Sequence, residues 1–269
     1  MTTALVRRDG RGQREMRGRE LRTSELNQFD GSAWYSQGLT AVVAAVNGPV
    51  AARQEDYRTC DVRVYLTRAV RLPHAGGADR LCVEQQREEQ QRADGEAERF
   101  LASCVEAVVL LERFPRCVLE AHLTVLSDDG ALLAVAANAL MCALLDAGVP
   151  CRTTIAAVCL AACADGNSGP SASSPAASSS VLLLDPTLAE EAGDEAQSYA
   201  TATFVVANPS SSDKSSSGGV LASHVEARPG SSLYGCRLRA AELASMTTLA
   251  ERAATILFDF FRNCNVPLE

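Results

Sequence analysis

Hydrophobic and polar positions fall into runs whose period changes along the chain. Asp61 to Leu66 alternates strictly, with Val62, Val64 and Leu66 on one face and Asp61, Arg63 and Tyr65 on the other. Leu119, Ala121, Leu123 and Val125 alternate in the same way with Glu120, His122 and Thr124. A period of two belongs to a half-buried strand. His122 falls on the polar side of that pattern and reads as a surface histidine. Leu39 to Val46 is a short, nearly continuous apolar run, as expected of a strand covered on both faces. Thr154–Ala162, Val181–Leu184, Ala200–Val206 and Val220–Val225 complete the predicted strands.

The spacing predicts three helices. The first runs from Ala97 to Glu112 and leads into Pro115. The second runs from Ala131 to Ala147, after possible caps at Asp128 and Asp129. Gly148 and Pro150 give it a stop signal. It is apolar almost all round, so it should lie buried, and its alanines permit close approach to a sheet. The last spans about Leu238 to Arg262, with Leu243, Met246, Ala250, Ala253, Leu257 and Phe260 at three-four spacing, a stripe that faces a core. The order of strands and helices predicts an α/β (α+β) chain, a mixed sheet packed with helices.

Two stretches break the pattern. Residues 165–180 and 208–219 are rich in Ser, Gly and Pro and cannot bury enough apolar surface to offset their ordering entropy. Strand-like sequence resumes beyond each, so they read as loop insertions in a single domain spanning residues 1–269. Glu84 to Arg99 is highly polar and is either a solvated loop or the exposed start of a helix.

The composition, 47% apolar and 22% charged, is that of a globular chain and not of a disordered one. The longest apolar stretch, Ala131 to Leu145, is interrupted by Asn138 and falls short of the ~20 residues that span a bilayer, so no membrane is expected as a partner. The first residues lack the apolar run of a secretory signal, and Asp9, Glu15 and Glu20 argue against a transit peptide. Most of the 10 cysteines sit in apolar runs and form no CxxC pair, so free thiols are expected. With only His74, His122 and His224, none at ligand spacing to a cysteine pair, no metal site is expected. The net charge of −8 does not suggest a broad nucleic-acid surface. Even so, Arg7, Arg8, Arg11, Arg14, Arg17, Arg19 and Arg22 crowd the amino-terminal stretch. That pattern suits either phosphate contact or a compositional habit of the genome.

Several segments resemble one family. Asp30 to Pro49 (DGSAWYSQGLTAVVAAVNGP) is similar to the opening hairpin of the RNase PH family, and Arg8-Asp9-Gly10-Arg11 to its amino-terminal Arg-x-Asp-Gly-Arg. Val125 to Pro150 resembles the family's strand, acidic-glycine turn and buried helix ending in Asp-Ala-Gly-x-Pro. Leu182 to Glu191 followed by Ala200 to Val206 resembles the segment that carries the family's acidic residues. Within the family, the Ser-Asp-x-Gly turn and Leu-Asp-Pro-Thr look like the ring subunits of the eukaryotic exosome, of the ribosomal-RNA-processing protein 46 type.

The resemblance implies a fold of the ribosomal-protein-S5-domain-2-like kind. It also implies assembly with other RNase PH-like ring subunits and S1/KH cap subunits around an RNA channel, in nucleus, nucleolus and cytoplasm. Active members of the family cleave RNA from its 3′ end with inorganic phosphate. A Gly-Thr/Ser-Arg step at the start of the buried helix cradles that anion. The matching positions here are Gly130, Ala131 and Leu132, so hydroxyl and guanidinium are both missing, and Leu132 should dry the pocket. Of the paired acids, Asp185 matches, and Glu191 stands where an Asp is expected. Two readings stay open for this pair. One is residual metal-dependent chemistry. The other is a turn at Asp185-Pro186 followed by a capping box from Thr187 to Glu190. The expectation is a non-catalytic ring subunit without a cofactor that threads RNA, with an active phosphorolytic 3′–5′ exoribonuclease as the alternative. Arg80, Arg87, Arg92 and the amino-terminal arginines are the candidate RNA contacts.

Overall fold

The computed structural model describes residues 7–51, 58–68, 80–164, 180–192, 198–209, 219–227 and 238–264. In chain order these residues form β1 (Arg19–Thr23), β2 (Gly31–Gln37), β3 (Thr40–Ala51), β4 (Asp61–Arg68), α1 (Arg80–Val108) and β5 (Cys117–Ser127). Then follow α2 (Leu132–Asp146), β6 (Ile155–Ala164), β7 (Ser180–Leu184), α3 (Leu188–Glu191), β8 (Ser198–Ala207), β9 (Val220–Ala227) and α4 (Ala240–Cys264). Most of both low-complexity insertions lies outside the described residues, and β7 and β9 begin where strand-like sequence was expected to resume.

The strands divide over two sheets. A 5-stranded sheet has the order β1-β2-β3-β5-β4, and a 4-stranded sheet the order β7-β6-β8-β9. The first is mixed, because β4 and β5 run parallel while its other pairs are antiparallel. The second is antiparallel throughout. Helix α2 lies between them, touching β2 and β3 of one sheet and β6 and β8 of the other. This placement explains why its sequence is apolar all round: every residue from Ala134 to Leu144 is buried. Its one polar member in that stretch, Asn138, is 0% exposed. Asn138 donates to the Ala157 carbonyl at 2.9 Å and accepts the Ala157 N–H at 2.7 Å, and so pins the helix to β6.

The β2–β3 hairpin sits tightly on the end of α2. A Cβ at Gly31 would lie 2.3 Å from the Ala147 nitrogen and 2.6 Å from the Ala143 carbonyl oxygen, so only glycine fits. Asp146 at the end of α2 accepts the Ser32 N–H at 2.9 Å and the Ser24 hydroxyl at 2.5 Å. Asp30 accepts the Gly48 N–H at 2.7 Å. The Asp-Gly-Ser and Leu-Asp-Ala-Gly stretches therefore meet, with Asp146 satisfying the Ser32 backbone.

Three expectations need correction. Helix α1 begins at Arg80, well before Ala97, so the polar stretch 84–99 belongs to a helix whose residues 87–93 are all exposed. It ends at Val108, and a separate 3-10 turn covers Leu111–Arg113. Asp128 and Asp129 do not cap α2: the cap position is Ala131, in the left-handed region at φ 55°, with no side-chain cap. His122 is half-buried and stacks on Tyr65 at 5.1 Å across the sheet.

Candidate functional site

The site forms where the amino-terminal segment, the turn before α2 and the turn before α3 converge. The β5–α2 turn must bend sharply, and Gly130 at φ 90° supplies the bend. A Cβ there would meet the Leu188 nitrogen at 2.5 Å, so the turn is held against α3. Thr40 ties it to the hairpin: its hydroxyl donates to the Gly130 carbonyl at 2.8 Å and accepts the Asp129 N–H at 3.0 Å. Asp128 accepts the Gly130 N–H at 3.1 Å. The backbone that would approach an anion is thus rigid.

Thr187 and Glu190 form the expected capping box of α3. Glu190 is also the partner of Arg7, which is 3% exposed. The guanidinium Nε lies 2.8 Å from Oε1 of Glu190 and Nη2 2.7 Å from Oε2, a two-pronged pair. Burial works against the carboxylate, but the Arg7 hydrogen bond prevails and holds Glu190 below its ordinary range.

Asp185 is 1% exposed and lies at φ 53°. Both its carboxylate oxygens are taken by Arg17: Oδ1 receives Nη2 at 2.7 Å, and Oδ2 receives the backbone N–H at 2.8 Å and Nε at 3.0 Å. Arg17 donates onward to the Asp129 carbonyl at 2.8 Å and the Gly130 carbonyl at 3.2 Å. Arg11 reaches the Asp185 carbonyl at 3.3 Å and pairs with Asp9. Asp185 is therefore a structural anchor that holds the amino-terminal segment to the two turns. Burial opposes the charged Arg17, yet Asp185, Asp129 and Glu191 together push its proton affinity up.

Glu191 faces the other way, into a cleft of about 250 Å³ that Arg68, Asp128, Leu132, His224 and Glu226 also line. Its Oε1 accepts the Ala131 N–H at 2.7 Å. That N–H belongs to the cap position of α2, the place where a helix N-terminus offers donors to an anion. The chain's own carboxylate occupies it. Burial above all, with Asp128 and Glu226, raises Glu191 to about 7 against the pull of the Ala131 bond and of Arg17. The Cys159 thiol lies 3.7 Å away.

The cleft is acidic. Glu191, Asp128 and Glu226 face one guanidinium, Arg68, which is already paired with Asp94 at 2.5 Å and Asp128 at 3.4 Å. His224 contacts Glu226 at 3.1 Å. Leu132 lines the same cleft with Leu66, Leu133 and Leu188, so apolar side chains border its carboxylates. Sequence reasoning missed Arg68, His224 and Glu226, which come from β4 and β9, far from the recognised motifs. The expected acid pair is not assembled as one, since Asp185 is sealed under Arg17 while Glu191 faces the cleft. No group of His, Cys, Asp and Glu among the described residues could hold a metal ion.

The amino-terminal arginines divide: Arg8, Arg14 and Arg22 are exposed, and the others are drawn inward to different degrees. Arg7 and Arg17 are buried in ion pairs, Arg11 is paired with Asp9, and Arg22 lies 2.6 Å from Glu20. Arg87 and Arg92 are exposed on α1, Arg92 at 3.8 Å from Glu88. The side chain of Arg80 lies outside the described residues.

Two sheets enclosing a buried helix, with a tight acidic-glycine turn at its start, define a mixed α/β fold of RNase PH-like form. Residues 15–150, just over half of the chain, match the model of the RNase PH 3′ exoribonuclease family, domain 1. The chain belongs to that family. It is 31% identical over 158 residues to the exosome complex component Rrp41 of Thermococcus gammatolerans, covering 59% of this chain and 61% of that protein. It is 27% identical over 187 residues to the exosome complex exonuclease RRP46 homolog of Arabidopsis thaliana, covering 70% of this chain and 66% of that one. These alignments span just under two thirds of the relatives' lengths. The crystal structure of rice (Oryza sativa) Rrp46 superposes with a TM-score of 0.68 at 24% identity, over 95% of this chain and 98% of the rice chain. The Archaeoglobus fulgidus exosome with RNA bound to the active site gives a TM-score of 0.64 at 19% identity, over 95% of this chain and 92% of that one.

Proposed function

We propose that the chain is a non-catalytic ring subunit of an exosome. It supports 3′–5′ RNA processing and degradation by helping to thread RNA through a central channel. Its partners are other RNase PH-like ring subunits, S1/KH cap subunits and the RNA itself, and it works in nucleus, nucleolus and cytoplasm. Family membership and the exosome relatives support the assembly. The observation that carries the loss of activity is the bond between the Ala131 N–H and the Glu191 carboxylate. Phosphorolysis needs an anion at that helix start, with preorganised cations and donors around it. Here the donor is taken by a carboxylate, further carboxylates surround the place, and Leu132 replaces a guanidinium. With Arg17 spent on Asp185 and Arg68 on Asp94 and Asp128, the guanidiniums beside that helix start are already paired.

The test is incubation of the pure chain, and of the chain with its ring companions, with labelled RNA and inorganic phosphate. No nucleoside diphosphate release above background is expected from the pure chain. With its companions, release should be unchanged by Glu191→Gln, which keeps an acceptor for the Ala131 N–H. Release that stops on Glu191→Gln in a chain that stays folded would establish the alternative, an active phosphorolytic exoribonuclease.

A further inference from the structure

Strands β4 and β5 run parallel, with Asp61 opposite Val118 and Val62 opposite Leu119. One residue further out on each side stand Cys60 and Cys117. Paired strands lie ~4.8 Å apart, and a disulfide needs Cα atoms ~4.4–6.8 Å apart. The two cysteines also share a face. Val62, Val64 and Leu66 point inward together with Leu119, Ala121 and Leu123, and the period of two puts Cys60 and Cys117 on that same side. Both belong to the apolar core there, Cys60 buried and Cys117 half-buried at its border. Their other contacts are weak: Cys60 Sγ lies 3.5 Å from the Asp61 carbonyl and Cys117 Sγ 3.6 Å from that of Pro115. Burial pushes the Cys60 thiol up to about 11, and the neighbouring Cys117 adds to the rise, so the two sulfurs feel each other.

We propose that Cys60 and Cys117 form a modification site, a dithiol that closes to a cross-strand disulfide when the chain meets a peroxide. The more accessible Cys117 reacts first. Its thiolate attacks one peroxide oxygen, the O–O bond breaks, and the departing hydroxide is protonated to water. This leaves Cys117 as a sulfenic acid. Cys60 then attacks that sulfur. The S–S bond forms, the S–O bond breaks, and the hydroxyl leaves as a second water with the Cys60 proton. Two thiols and one hydrogen peroxide thus yield one disulfide and two waters, and a dithiol reductant reverses the change.

The full chain, treated with hydrogen peroxide, is digested without reduction by trypsin and a glutamyl endopeptidase and read by mass spectrometry. The expected product joins the peptide carrying Cys60 to the one carrying Cys117, lighter by two hydrogens than their sum and absent after dithiothreitol. Cys60→Ser and Cys117→Ser should each remove it, and Cys159→Ser should leave it. Should a serine variant fail to fold, differential alkylation of the wild-type chain decides: both thiols must disappear from labelling in parallel. Recovery of Cys60 and Cys117 as free thiols while other cysteines oxidise would overturn the proposal. So would a disulfide that joins Cys142 to Cys264 in their place.

Discussion

Replacing Glu191 by Gln tests the electrostatics of the cleft directly. Folded, this carboxyl titrates near 7, against an ordinary 4.5, because burial and the nearby Asp128 and Glu226 disfavour its charge more than the Ala131 N–H favours it. Between those two values the folded chain holds a proton that the unfolded chain has released. Stability from this group is therefore greatest below about 4.5, falls as pH rises through the window, and levels off above about 7. At ~1.4 kcal/mol for each pH unit, the loss amounts to about 3 kcal/mol. Gln keeps an oxygen for the Ala131 N–H and carries no charge, so the variant escapes the loss. Urea unfolding of both proteins at pH 5, 6, 7 and 8 provides the assay. The variant should gain on the wild type by ~2.5 kcal/mol between pH 5 and pH 8, with an unchanged slope against urea. Parallel pH profiles would refute the reasoning. So would a wild type that gains with rising pH, because then attraction to the α2 N-terminus, worth up to ~2 kcal/mol, would outweigh desolvation.

Two more substitutions probe the frame of the site. Asp185→Asn leaves the Arg17 guanidinium buried without its counter-charge, and breaking such a pair costs about 3–5 kcal/mol. Thermal unfolding should show the loss, and the double variant with Arg17→Met should lose less than the sum of the single changes. Gly31→Ala forces a methyl into the backbone at the end of α2, where overpacking costs ~1–3 kcal/mol. An unchanged unfolding midpoint would show that the hairpin does not sit where we place it.

What the sequence made legible was local. The alternation in β4 and β5, the apolar cylinder of α2 and the box from Thr187 to Glu190 each rest on residues within a few positions of one another. The early start of α1 was hidden because its residues 87–93, all exposed, carry no apolar stripe to reveal a period. Strand β1, Arg-Glu-Leu-Arg-Thr, buries too little to stand out. The aspartates before α2 looked like caps, but a left-handed Ala131 turns the chain so that the cap donor faces Glu191. The Arg7–Glu190 and Arg17–Asp185 pairs join residues 183 and 168 positions apart, a distance at which no periodicity speaks. Nothing local in the arginine cluster therefore told that Arg7 and Arg17 form an internal clasp while Arg8, Arg14 and Arg22 stay exposed.

That clasp bears on how the chain relates to active members of its family. An anion site needs cations held in place yet left short of partners, so that the ligand completes them. In this molecule the completion is internal. Arg17 is completed by Asp185, Arg7 by Glu190, Arg68 by Asp94 and Asp128, and the α2 cap by Glu191. Each pairing removes a group from ligand binding. The glycine turn stays rigid because Thr40, Leu188 and Asp128 hold it, and none of them depends on phosphate. Under the proposed non-catalytic role, the scaffold of the site persists for folding while its charges are satisfied from within. On that proposal Leu132→Arg alone would not create an anion site, because an arginine placed among Asp128, Glu191 and Glu226 would itself be paired before phosphate arrived.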